Sequence, residues 1–511
     1  MEELDNSLKK IAGGALFVLI GLFISKLLGY VFRFIIARVG PEQYGLFYLG
    51  MMFFSFFSMV SILGMKEGVT RYVSYYSGKK NKEGIKGVIS SSTRIGIISS
   101  IILAIMLFTF SNYISLNFFH NSGLSPILKI FAIAVPINTL GIIFLASLRG
   151  SQKVRYEVYI RNIGENLIKI VITTISIFLG FEILGVAFAY LIALFISLIL
   201  SFYFMKRVFH LGKKIKAIPI GKELLFYSVP LLLAGFMLTF LTSTDTFMIG
   251  LFEDAFQVGI YNAAIPVAQL LYVFPEGLLF LFLPVLTKIY AEGKTDLIKP
   301  IYKTLTKWIL IFNIMVISLI ILFSKQILRI LFGPEYSIGS NALIILTIGF
   351  FLAHLMMAGT LLFLVFKKTK IHSLNLFMAA ILNIILNYFL IPRLGISGAA
   401  IATSVSFSFL GLIVLIENYI LFKLQPFNWK HPKIIFSSLI ASFIIYFLNR
   451  NIQTLTILKI IILSFAYLAV YGILLLVTRT FEEHDIMILK AIQQKTGLRI
   501  FFINRIIKKF I

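Results

Sequence analysis

Cysteine is absent from the 511 residues, tryptophan occurs twice, and acidic side chains number 21 against 47 Lys and Arg. The first absence excludes disulfides, thiolate metal sites and a cysteine nucleophile. Charged residues are scarce at 13%, whereas an ordinary soluble domain carries about 25%. No Walker A loop, dinucleotide-binding glycine fingerprint or HExxH pair occurs, so ATP hydrolysis on this chain is not expected, nor is a cofactor or a metal. Long polar segments are missing as well, which leaves no room for a soluble domain. What fills the chain is apolar: 59% of residues are hydrophobic and the mean hydropathy is +0.97.

The apolar residues fall into fourteen runs, over 11–32, 43–64, 88–111, 124–148, 158–180, 183–205, 222–250, 258–287, 301–323, 340–366, 371–391, 396–422, 433–448 and 457–478. Runs of this length cross about 30 Å of hydrocarbon as helices, whereas a barrel strand needs only about 10 alternating residues. The first run follows Lys9 and Lys10 like a signal peptide. It is too long for one and lacks a small-x-small cleavage site, so it is read as an uncleaved first span. The loops alternate in charge. One side carries 37 of the 47 Lys and Arg, and the other side six: Arg33, Arg38, Lys325, Arg329, Arg393 and Arg450. By the positive-inside rule both termini are expected in the cytoplasm of a plasma-membrane protein. The net charge of +26 therefore sets topology, and no nucleic-acid partner is expected. The tail over 481–511, with Ile486, Leu489 and Ile492 opposite Lys490 and Lys495, reads as a basic amphipathic segment lying on the cytoplasmic leaflet.

Two halves of the chain echo each other. Gln43-Tyr44-Gly45-Leu46-Phe47-Tyr48 corresponds to Gln257-Val258-Gly259-Ile260-Tyr261-Asn262, and Gly185-Val186-Ala187-Phe188-Ala189 to Gly398-Ala399-Ala400-Ile401-Ala402. Both correspondences fall at nearly one offset, so each repeat holds six spans. An even number of spans makes the repeats parallel, and such duplication is a transporter trait. The expected architecture is an all-α membrane protein with six-helix lobes over 1–215 and 216–424, two further helices within 425–480, and the tail.

The stretch Ala37-Arg38-Val39-Gly40-Pro41-Glu42-Gln43-Tyr44-Gly45-Leu46-Phe47, then Gly64 and Arg71-Tyr72-Val73, resembles the polysaccharide and lipid-linked oligosaccharide flippases. So do Thr244-Asp245-Thr246-Phe247-Met248-Ile249-Gly250 and Leu283-Pro284-Val285-Leu286. These flippases belong to the multidrug/oligosaccharidyl-lipid/polysaccharide exporter superfamily. The resemblance implies a V-shaped, MATE-like molecule. It would move a polyprenyl- or dolichyl-linked glycan from the cytoplasmic to the outer leaflet by alternating access, and it would not be an enzyme. The expected partners are that glycan lipid, bilayer lipids, H+ or Na+ as a coupling ion, and enzymes of glycan assembly.

Charges at membrane depth cost roughly 2.5–3.5 kcal/mol on insertion scales and so call for a reason. Lys26 and Arg33 lie seven residues apart on one face of the first span, with Arg38 beyond them. Such a cationic stripe suits a phosphate or pyrophosphate head group. The alternative is that Lys26 snorkels while Arg33 and Arg38 anchor the helix end. Lys129 in the fourth span carries the same two readings. Glu165 and Lys169, at i and i+4, are expected to neutralise each other. Glu276 and Asp245 are the ion-coupling candidates, because a carboxylate out of water exchanges protons near neutrality; Asp245 also reads as a helix-end residue. Pro230, Pro266, Pro275 and Pro284 interrupt spans seven and eight and are hinge candidates or static kinks. His354 reads as a hydrogen-bonded packing residue, and Asn383 with Asn387 as interhelical glue.

Three rival functions stay open: a multidrug or metabolite antiporter of the same fold, a lipid II-type flippase, and a membrane polymerase or ligase. The cationic first span argues against export of organic cations, and the short outer loops argue against the enzyme.

Overall fold

Apolar length dictates the architecture. The computed structural model describes residues 20–210, 215–450, 457–482 and 485, and among these no strand occurs. The amphipathic reading of the tail thus falls almost entirely outside the described residues. Among the described residues, eleven helical segments are long and apolar enough to cross a membrane, so the chain is a multi-pass membrane protein.

The chain divides into two compact units, 1–262 and 263–511. The first begins with α1 (Ile20–Val39). Gly40, at φ 110°, ends it, and Pro41 opens α2 (Pro41–Ser61) at a position where its missing N–H is harmless. The turn after α2 uses left-handed residues, Leu63 and Gly64, at φ 50° and 70°. A side chain at Gly64 would also press within 2.2 Å of the Ser228 carbonyl oxygen, so glycine is required there twice over. α3 (Met65–Gly78) follows. It occupies the segment read from the sequence as a basic loop. Its short buried face of Met65, Gly68, Val69 and Val73 was too modest to register as a span.

α4 (Lys82–Tyr113) is capped by Asn81, whose side chain accepts a hydrogen bond from the Gly84 N–H at 2.9 Å. Its Ile98, Ile102 and Ile105 lie exposed along one face, as expected for a side that meets lipid. α5 (Leu124–Gly150) is the central helix and packs on α2, α3, α4 and the later α8. A single turn, α6 (Arg155–Glu157), leads into a π-helical segment over Val158–Gly164 and then α7 (Glu165–Phe178). α8 (Glu182–Phe209) pairs with α7 across a turn containing Gly180 at φ 79°. α9 (Gly221–Phe252) lies against α2, α3 and α4.

The division between units falls inside α10 (Ala255–Ala268). The second unit continues with α11 (Leu270–Ala291) and α12 (Ile298–Leu331). α13 (Ser340–Leu355), α14 (Met357–Val365) and α15 (Thr369–Phe422) come next, and α16 (Lys430–Arg450) and α17 (Ile457–Val477) complete it. Several single spans of the sequence reading are broken helices. The eighth is interrupted at Gln269, three residues after Pro266, and the tenth at Met356. The eleventh and twelfth are the two arms of α15, folded back at Gly395 (φ 56°, ψ −137°). The arms are bridged by Asn383 to Thr403 (3.0 Å) and Asn375 to Glu417 (2.5 Å), and Asn387 donates to Asn383 (3.0 Å). Asn383 is interhelical glue, as expected, and Asn387 supports it from within the same arm.

The end of the described chain is fastened to this unit. Lys307 on α12 is wholly buried and donates to Asp485 at 2.7 Å and Glu482 at 3.2 Å. The Trp308 indole N–H donates to the other Asp485 oxygen at 2.8 Å.

Candidate functional site: a cationic cavity in the first unit

A cavity of about 350 Å³ opens between α2, α3, α5, α8 and α9. α2 contributes Phe54, Ser55, Ser58, Met59 and Ile62, and α9 contributes Leu231, Leu232 and Gly235. The polar wall is made by Lys66 and Glu67 on the first turn of α3, Asn138 on α5, Arg161 in the π-helical segment, and Tyr190 on α8. Ser58 is buried and its hydroxyl has no protein partner.

Arg161 donates to the Asn138 side-chain oxygen at 3.4 Å. A π-helical stretch of this kind is rare and shifts the register of the following helix. Arg161 here stands on the helix just ahead of the buried Glu165–Lys169 pair, whose N–O distance is 3.3 Å. Behind the cavity wall, Lys169 lies 4.9 Å above the Tyr190 ring. That ring sits among Phe54, Phe131 and Phe47, with centroids 5.5, 5.8 and 6.3 Å away. The cage holds Tyr190 in place, and the ion pair behind it is satisfied internally. The charge facing the cavity is therefore that of two cations and one carboxylate. Lys66 and Glu67 approach only to 4.0 Å and are both well exposed, so each is free to meet a ligand.

The residues singled out from the sequence are dispersed. None of Lys26, Arg33, Arg38 and Lys129 lines this cavity. Arg33 lies 4.9 Å over the Tyr48 ring, Lys129 is 5.9 Å from the exposed Phe108 ring, and Arg38 is exposed. Asp245 is buried and accepts a 2.6 Å hydrogen bond from the Tyr261 hydroxyl, beside a second α9–α10 link from Asn262 to Thr246 at 3.1 Å. Glu276 is half-buried on α11, one residue after Pro275. Among the hinge candidates, Pro230, Pro275 and Pro284 lie inside continuous helices, and only Pro266 closely precedes a helix break. His354 packs between Tyr272 and Phe350, but its Nδ1 has no partner, so it is a packing residue without the expected hydrogen bond there.

Arg161 is not among the site residues expected from the sequence, because it stands at the very start of the fifth apolar run, where cations commonly flank a span. Its spacing carried a signal: positions 161, 165 and 169 recur every four residues and share a helix face.

The chain is similar to a "Putative O-antigen transporter" of Shigella flexneri, with 25% identity over 412 residues, covering 79% of this chain and 95% of the relative. A shorter match, 28% identical over 184 residues, is to the "Probable low-salt glycan biosynthesis flippase Agl15" of Haloferax volcanii, covering 36% of this chain and 38% of the relative. Among solved structures, the lipid II flippase MurJ in an inward closed conformation has a similar fold, at TM-score 0.72 and 22% identity, with 92% of this chain and 99% of that one covered. The MatE family model matches residues 230–389. The model for polysaccharide biosynthesis proteins matches residues 11–290, more than half of the sequence, and the chain belongs to that family.

Proposed function

We propose that this protein is a flippase for lipid-linked glycan precursors, crossing the membrane fourteen times with both termini in the cytoplasm. The observation that carries the reading is the cavity of the first unit, where Arg161, Lys66 and Asn138 converge inside a bundle of this family. A guanidinium, an ammonium and an amide are suited to phosphate oxygens, the Arg through its planar fork and the Lys as a point charge. A multidrug exporter of organic cations would need the opposite sign. The names of the Shigella and Haloferax relatives support the glycan substrate. Lys26, Arg33, Arg38 and Lys129 extend the proposal as further cationic contacts along the substrate's route.

The six-span lobes, 1–215 and 216–424, are part of the same proposal, with rocking of the lobes exposing the substrate site alternately. Coupling to H+ or Na+ is assigned to Glu276 and Asp245. Replacing Asp245 by Asn would keep an acceptor for the Tyr261 hydroxyl while removing the charge.

Complementation tests the reading. In a host lacking its own glycan-lipid flippase, the wild-type chain is expected to restore surface glycan. Arg161→Ala, at equal membrane abundance, is expected to lower it by about tenfold, since a hydrogen bond to a charged group is worth roughly 1.5–3 kcal/mol. Full activity of Arg161→Ala would remove this cavity from substrate handling.

A further inference from the structure

Arg71-Tyr72-Val73 belongs to the stretch that carries the family resemblance, yet neither Arg71 nor Tyr72 lines the cavity. Val73 is buried among the helices. Tyr72 packs partly against the same core, whereas Arg71 is exposed. The Arg71 guanidinium lies 4.2 Å from the Tyr227 ring centroid and 5.6 Å from that of Tyr72. The two rings meet edge to face at 6.0 Å and 87°. Arg71 is exposed and both rings are half-buried, so one side of the cluster stays open.

The cluster sits at the cavity's rim. Glu67 of α3 and Leu231 of α9 are wall residues. Arg71 is four residues beyond Glu67, and Tyr227 four residues before Leu231, so each stands one helical turn from the wall on its own helix. We propose that Arg71, Tyr72 and Tyr227 form a sugar-binding subsite, which takes the pyranose next to the phosphate end of the lipid-linked glycan. This rests on the flippase reading above and specifies where the first sugar goes.

The chemistry selects a sugar over the other parts of such a molecule. A pyranose ring offers a C–H face to an aromatic plane and hydroxyls at its edge to N–H donors. Two perpendicular rings, with a guanidinium 4.2 Å from one and 5.6 Å from the other, supply both. The phosphate is better served inside the cavity by Arg161, Lys66 and Asn138. A hydrocarbon chain would have to strip water from the guanidinium with nothing in return. Because Arg71 already lies on Tyr227, little side-chain freedom is lost when a ligand binds. The pairing recurs at the end of α3, where Lys79, the residue just past its last turn, lies 4.4 Å over the exposed Tyr75 ring. Glu67, Arg71, Tyr75 and Lys79 recur every four residues, so they form one stripe leading away from the cavity, along which a longer glycan would extend.

The test uses the full chain in nanodiscs and two probes: a polyprenyl diphosphate, and the same lipid bearing a single N-acetylhexosamine. The wild-type protein is expected to bind the sugar-bearing lipid roughly three- to tenfold more tightly, the span of one aromatic contact. In Tyr227→Leu and in the exposed-site variant Arg71→Gln this preference is expected to fall toward one, with the affinity for the bare diphosphate unchanged. Tyr227→Phe, which keeps the ring, is expected to retain it. A sugar preference that persists in both Tyr227→Leu and Arg71→Gln, or no preference in the wild type, overturns the subsite while leaving the flippase reading intact. Failure of the wild type to bind either lipid overturns both.

Discussion

At the scale of single residues, the membrane interior makes an unpaired charge more costly than a missing contact. Glu165 and Lys169 are both about nine-tenths buried and pair at 3.3 Å. Removing one partner strands the other; breaking a buried pair this way costs about 3–5 kcal/mol, whereas replacing both by apolar residues is often neutral. Lys169→Met is therefore expected to lower the thermal unfolding midpoint in detergent far more than Glu165→Leu combined with Lys169→Met. Equal losses in the single and double variants would show that the pair contributes packing alone. This pair was legible in the sequence because i, i+4 spacing on a helix guarantees proximity. Tyr190 was not legible. An aromatic in an apolar run announces burial, but the phenylalanines that cage it come from α2 and α5, and no local pattern encodes such a meeting. Lys307 escaped for a related reason: its partner Asp485 lies 178 positions away in sequence.

At the scale of elements, two glycines of the internal repeat expected from the sequence meet each other. Gly45 and Gly259 occupy the same position in the repeated motif, and each is the fifth residue of its helix, α2 and α10. The two helices touch at these glycines. A side chain at Gly45 would come within 1.7 Å of the Ala255 carbonyl oxygen, and one at Gly259 within 1.9 Å of that of Pro41. The obstacle is backbone in both cases, so no rotamer change relieves it. Gly259→Val is expected to destabilise the protein by about 1–3 kcal/mol, as overpacking does, with the α2–α10 contact separating. Crosslinking between cysteines introduced at Gln43 and Gln257 would report that separation, and unchanged crosslinking would contradict the close-packed contact. The other repeated motif is placed alike. Gly185 follows the left-handed Gly180 at the start of the second arm of the α7–α8 hairpin, and Gly398 follows Gly395 in the same way within α15. The apolar runs that coincide with the eleven membrane-crossing segments were legible because apolar length is a strong signal; the runs 158–180 and 222–250 are not among those segments. Helix breaks at Gln269 and Met356 and the helical nature of α3 were not, since they depend on packing against neighbouring helices rather than on hydropathy.

At the scale of the whole molecule, the proposed orientation rests on the loop charges and the proposed substrate site on the few cations that meet the cavity. Only a transport measurement joins them. In proteoliposomes with no nucleotide present, a polyprenyl-diphosphate oligosaccharide placed in the outer leaflet should become protected from an impermeant oxidant as it is moved inward. The wild-type chain is expected to accelerate that protection well above protein-free vesicles and to respond to an imposed H+ or Na+ gradient. Glu276→Gln is expected to transport more slowly and to lose the gradient response. Protection no faster than in protein-free vesicles, with the protein folded and correctly inserted, would contradict the flippase account.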